Sequence, residues 1–143
     1  EISLGLVGSE MCIRDRYYSH TILARPGFED LLMPTQQSDW LNIANKVLLE
    51  IFMANKIEVK SVLRINVNCT HETDGHTTPL HMDHNFETNN IVVYLNTFEC
   101  GATNVEQESH KPKEDDIIIF DGFHSIEQPC NGTRRVVLVA TYL

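Results

Sequence analysis

Several things are missing from this chain, and each absence narrows what it can be. No apolar run approaches the 18 or so residues of a membrane-spanning helix. Basic residues are scarce: 11 Lys and Arg stand against 20 Asp and Glu, for a formal charge of −9. That balance argues against nucleic acid and anionic membranes as partners. Cys12, Cys69, Cys100 and Cys130 lie far apart without a CxxC pair. Their spacing argues against a disulfide framework or a structural zinc site and for a reducing compartment. There is no HxH pair and no initiator methionine. Residues 1–16 carry no basic segment ahead of their small and apolar residues, so they do not read as a secretory signal. Either a non-native, artefactual leader or an ordinary leading strand fits them, and residues 17–143 are read as a single domain.

What is present is enough for a packed core. Apolar residues make up 42% of the chain, the usual globular share, which rules out a disordered polymer. From Ser38 the pattern is helical. Ser38 or Asp39 can cap a helix, and Trp40, Leu41, Ile43, Ala44, Val47, Leu48, Ile51 and Phe52 recur at helical spacing. One amphipathic helix over about 38–55 follows, built to lie on something apolar.

After Lys60 the period falls from 3.6 to 2. Val62, Arg64, Asn66 and Asn68 take one face of a strand, and Leu63, Ile65 and Val67 the other. Asn90 to Asn96, Ala102 to Val105, Ile117 to Asp121 and Arg134 to Leu143 also read as strands, with Glu106 to Asp116 as a solvated loop. The expected fold is therefore mostly β with an N-terminal helix, the helix packed outside a small barrel or two-sheet roll of about 60–143.

The residues able to carry chemistry form one constellation. On a strand, His81 and Asp83 project to the same face. They supply two-thirds of a 2-His-1-carboxylate triad, which holds non-haem Fe(II) with open positions. His124, beyond the buried-type run Ile117 to Asp121, is the candidate for the second imidazole. Ten residues later comes Arg134, a permanent cation able to grip the far carboxylate of a dicarboxylate bound at the metal. Arg135 competes for that role. Alternation groups Arg135 with Val137, Val139 and Thr141, and Arg134 with Val136, Leu138 and Tyr142; the Gly132-x-Arg134 spacing favours Arg134.

The order His81-x-Asp83, Tyr94-Leu95-Asn96, Gly101-x-Thr103, His124 and Gly132-x-Arg134 resembles the Fe(II)/2-oxoglutarate-dependent dioxygenase superfamily. Within it, the prolyl-4-hydroxylase-like branch and short marine phage oxygenases are most similar. The resemblance implies a double-stranded β-helix (jelly-roll, cupin-like) core. It also implies Fe(II) on His81, Asp83 and His124, with 2-oxoglutarate as cosubstrate, O2 as oxidant and ascorbate as an optional reductant. Arg134 falls on the residue that grips the distal carboxylate, and Tyr94 on one that shares it. Asn66 and Asn68 fit either a ligand role or loop hydrogen bonds, and Arg64 either a salt bridge or the pocket. The implied reaction hydroxylates a C–H bond of a peptidyl residue such as proline, or of a small metabolite, releasing succinate and CO2. Asp83 argues against a halogenase. Such chemistry suits a cytoplasm, that of a bacterium or a phage-infected host. The sequence is silent on oligomeric state. A cupin-like metal barrel without cosubstrate and a non-catalytic phage accessory domain are the alternatives.

Two departures from the family concern the substrate side. Arg64, Asn66 and Asn68 stand where an aromatic is usual, and Thr70 to Thr78 lengthens the connection to His81.

Overall fold

A computed structural model describes residues 9–12, 17–27, 30, 32–72 and 77–143. Among them the elements run, in chain order, β1 (Ser9–Cys12), β2 (Tyr17–Ala24), β3 (Thr35–Gln36), α1 (Leu41–Ala54), β4 (Val62–His71), β5 (Asn89–Tyr94), β6 (Glu99–Cys100), β7 (Thr103–Val105), β8 (Glu108–His110), β9 (Ile117–Asp121), β10 (His124–Ile126), β11 (Pro129–Cys130) and β12 (Arg134–Tyr142). The fold is mostly β, as the period-2 patterning indicates.

The main sheet has the order β1-β2-β4-β12-β5-β9, with β3 on β2; β10-β7-β8 and β11-β6 form two smaller sheets. This is a jelly-roll arrangement in which β12, central in the main sheet, pairs antiparallel with β4 and β5. Alternation along β12 separates two cores. Leu138, Ala140 and Tyr142 face α1, packing with Leu48, Ile51 and Phe52. Val137 and Val139 face the interior of the roll with Val92, Tyr94 and Phe98. Each buried Leu or Ile of the helix-facing layer contributes about 1.5 to 3 kcal/mol.

The helix is shorter than its periodicity suggests and buries a narrower stripe. Ala44, Leu48, Ile51 and Phe52 are buried, whereas Trp40, Ile43 and Val47 are exposed because the helix touches the sheet along one edge of its apolar face. Trp40 occupies the N-cap; Ser38 Oγ accepts from the Trp40 amide at 3.3 Å and acts as a preceding turn rather than as the cap. At the other end the Ile57 amide donates to the Phe52 carbonyl (2.9 Å) and Lys56 to Met53 (3.2 Å). This is a Schellman closure whose left-handed position holds Lys56 at φ 55°.

Several expectations are corrected. The helix is not the first element, since β2 precedes it and enters the main sheet beside β4. Alternation in Tyr17–Ala24 is broken by a register shift between Thr21 and Leu23, which hides the strand from pattern reading. A similar shift opposite Thr141 and Tyr142 sends Val62 to the helix side instead of the face of Arg64. Glu106 to Asp116 is not all loop: it contains β8, the hairpin partner of β7. Cys100 and Cys130 form a disulfide, contrary to their distant spacing, because β6 and β11 pair antiparallel, with Cys100 opposite Pro129 and Cys130 opposite Glu99. Of residues 1–16, Ser9–Cys12 pairs with β2 as a strand; residues 1–8 and 13–16 lie outside the described residues.

Candidate metal and dicarboxylate site

The interior of the roll contains a cavity of about 530 Å³ lined by His81, Asp83 and His124, with Arg64, Asn68 and Arg135 also on its wall. His124 opens β10 and is buried. The segment carrying His81 and Asp83 is not a regular strand, contrary to expectation. Only His81 pairs, in an isolated bridge whose two amide–carbonyl bonds to His124 measure 3.0 and 2.9 Å. Side chains do the rest. Arg25 Nη1 donates to the Asp83 carbonyl at 2.7 Å, and Arg64 Nη1 to Asp83 Oδ1 at 2.9 Å. His84, turned away from the centre, bonds Thr141 Oγ1 at 2.8 Å.

So held, His81, Asp83 and His124 each offer one donor atom, all within 4.8 Å of one another. His124 Nε2 lies 3.9 Å from Asp83 Oδ2, and the two imidazole centroids are 4.4 Å apart. His81 Nδ1 is 2.8 Å from the Pro79 carbonyl, to which it donates as N–H, leaving Nε2 free. Burial lowers His124 below its ordinary value, against the pull of Asp83, which favours the neutral, ligating imidazole. Burial pushes the Asp83 carboxyl up, but Arg64 and both imidazoles outweigh it, so the group sits below its usual range as a carboxylate. Two imidazoles and one carboxylate around one point fit a divalent first-row metal.

Of the two guanidiniums on this cavity, Arg64 is paired with Asp83, and the other is Arg135. Arg134 is exposed at the start of β12, outside the cavity. The Gly-x-Arg spacing therefore picked the wrong neighbour: the cavity-facing parity of β12 is that of Val137 and Val139, which Arg135 shares. Arg135 is 2% exposed. Its Nε donates to the Gly101 carbonyl at 3.3 Å and its Nη2 to Thr103 Oγ1 at 3.0 Å, with the Tyr94 ring 5.6 Å from the guanidinium carbon. Burial pulls its pKa down and Tyr94 opposes this; an arginine stays cationic throughout. Among the described residues no carboxylate pairs with it. A buried, unpaired guanidinium costs several kcal/mol unless an anion joins it.

The other expected residues divide. Tyr94 is fully buried behind the wall, its hydroxyl 2.6 Å from Thr103 Oγ1, so it backs Thr103 rather than facing the cavity. Asn68 lines the cavity, but Asn66 does not: its amide lies 2.9 Å from Ser19 Oγ, which donates to Asn68 Oδ1 at 2.9 Å. Asn96 bridges the edge of β12, donating to the Arg134 carbonyl (2.8 Å) and accepting from the Val136 amide (3.0 Å). Tyr17 on β2 is a lining residue that sequence reading missed; burial raises its phenol above the ordinary value, against Ser19 and Arg64. Away from the cavity, His20 and His110 are partly buried and bond Ser38 Oγ and Asp116 Oδ2 at 2.9 and 3.2 Å.

No family model and no curated protein matches the chain. Solved structures do. One is a 2OG-Fe(II) oxygenase family oxidoreductase from Burkholderia pseudomallei, at TM-score 0.70 and 14% identity over 94% of this chain and 71% of that one. Another is the viral collagen prolyl hydroxylase of Paramecium Bursaria Chlorella virus-1 as its 2OG complex, at TM-score 0.54 and 14% identity over 91% and 80%. At these identities the likeness establishes the fold, a jelly-roll shared with 2OG-Fe(II) oxygenases.

Proposed function

We propose that this chain, which has the fold of the 2OG-Fe(II) oxygenases, is itself an Fe(II)- and 2-oxoglutarate-dependent oxygenase. It would hydroxylate a C–H bond and release succinate and CO2. The observation that carries this reading is Arg135, a buried cation with no carboxylate partner among the described residues, on the wall of the cavity that also gathers His81, Asp83 and His124. A metal barrel without cosubstrate would leave that cation unexplained.

In this reading His81 Nε2, Asp83 Oδ2 and His124 Nε2 hold the metal. Arg135 takes the distal carboxylate of 2-oxoglutarate through its fork, replacing the solvent lost on burial. Thr103, tied to both Arg135 and Tyr94, fixes the height of the guanidinium and offers a further polar contact. Val92, Val139, Phe120 and Ile126 add apolar surface to the cavity wall. Fe(II) with O2, when bound, supplies the oxidising chemistry; the protein supplies orientation and seclusion.

The substrate is a peptidyl residue such as proline, by analogy with the viral hydroxylase, or a small metabolite, and ascorbate would serve as accessory reductant. We take 17–143 as the oxygenase domain. No helix of the described residues is long and apolar enough to cross a membrane. A cytoplasmic setting suits Fe(II), while the Cys100–Cys130 disulfide favours a less reducing one. Anaerobic calorimetry of 2-oxoglutarate, with Fe(II) and without, tests the function. Binding that requires the metal is expected; no binding by folded protein would refute the proposal.

A further inference from the structure

Arg64 is the second guanidinium of the cavity, and the proposed triad gives it no task. It sits near the start of β4, opposite Thr141 of β12, with its side chain only 16% exposed. An arginine buried to this degree needs a reason, because the desolvation of its head is repaid only by well-made bonds. It has two. Nη1 donates to Asp83 Oδ1 at 2.9 Å. Nη2 lies 3.2 Å from the Asn66 amide oxygen when that carboxamide is turned to satisfy its surroundings, its nitrogen then donating to the Ile65 carbonyl at 2.8 Å. Asn66, absent from the cavity wall, thus steadies Arg64 from behind.

The two oxygens of Asp83 are consequently unlike. Oδ1 is occupied by Arg64; Oδ2 is the one turned to His124 Nε2, at 3.9 Å. Arg25 fixes the backbone of the same residue through its carbonyl, so Asp83 is held at its main chain and at Oδ1 although it lies in no regular strand. Resting on the metal reading above, the geometry points to Arg64 as a positioning residue that makes Asp83 a one-oxygen metal ligand.

The consequence is a matter of counting positions. Three single-atom protein ligands on a six-coordinate metal leave three positions open. A carboxylate donating both oxygens would take one of them. By holding Oδ1, Arg64 keeps a position free beyond the two that a chelating 2-oxo acid fills. Its charge also partly neutralises Asp83 without itself being able to coordinate, since a guanidinium has donors only.

The test uses Mn(II) and Co(II) on the full chain. In crystals loaded with Mn(II), the wild-type protein should show one Asp83 oxygen on the metal and the other still on Arg64. Both oxygens on the metal, or Arg64 displaced from Asp83, would overturn the assignment without any variant. In solution, Arg64→Met should still bind Co(II), but with a changed visible d–d spectrum as Asp83 goes from one donated oxygen to two. Arg64→Lys, which restores a donor to Oδ1, should return the wild-type spectrum. Identical spectra for wild type and Arg64→Met would overturn the positioning role alone. Failure of Asp83→Asn to weaken Co(II) binding would overturn the metal reading together with it.

Discussion

Replacing Arg135 with Met separates the cost of this residue to the fold from its value to the ligand. In the free protein, Arg135 is a cation 2% exposed, with two neutral hydrogen bonds and no carboxylate partner among the described residues. Exchange of such a group for an apolar side chain of similar length is near neutral for stability. Thr103 and the Gly101 carbonyl each lose a bond from Arg135, but Thr103 keeps Tyr94 as a partner. The melting temperature should therefore move by no more than about 4 °C, equivalent to roughly 1 kcal/mol at this size. With 2-oxoglutarate bound, the distal carboxylate would instead be buried without its counter-ion, at a cost of about 3 to 5 kcal/mol. At about 1.4 kcal/mol per tenfold, that weakens binding by more than about 100-fold. Arg134→Ala, at an exposed position, should shift affinity by less than about threefold. Anaerobic calorimetry on the metal-loaded proteins reads both numbers. Equal effects at the two arginines, or wild-type affinity in Arg135→Met, would refute the reasoning.

Three further outcomes follow from local geometry. Lys56→Gly should stabilise the fold by about 0.5 to 1 kcal/mol in urea denaturation, because Lys56 holds the left-handed position of the Schellman closure. Gly101→Ala should destabilise by about 1 to 3 kcal/mol and weaken 2-oxoglutarate binding, since a Cβ there would lie 2.6 Å from the Phe98 ring at a residue whose carbonyl accepts from Arg135. Cys130→Ser, which opens a crosslink between residues 30 apart, should lower stability by about 3 to 4 kcal/mol, read as the shift in denaturation midpoint.

The candidate grouping of His81, Asp83 and His124 was legible because two of them stand two residues apart and the third opens a strand after an apolar run. Their convergence was not. Asp83 reaches the centre through Arg25 and Arg64, side chains 58 and 19 residues away. The choice between Arg134 and Arg135 shows where pattern reading stops. Alternation puts adjacent residues on opposite faces, but which face is inside depends on strand pairing. The polar face of β4 held a clue: Arg64, Asn66 and Asn68 pair across with Thr141, Val139 and Val137, the parity of Arg135. Reading it requires the register, which no single strand encodes. The disulfide was hidden for a related reason, because β6 and β11 are two residues each, too short for any periodicity. Strand β2 escaped because its register shift interrupts the alternation that marks a half-buried strand.

The central claim is most directly tested by succinate formation from 2-oxoglutarate with Fe(II), O2 and ascorbate, in the presence of proline-rich peptides and free amino acids. The account predicts succinate with the wild-type protein and none above background with Asp83→Ala or Arg135→Met. Succinate formed equally by all three proteins, or by none while the wild type is folded and binds metal and 2-oxoglutarate, would contradict it.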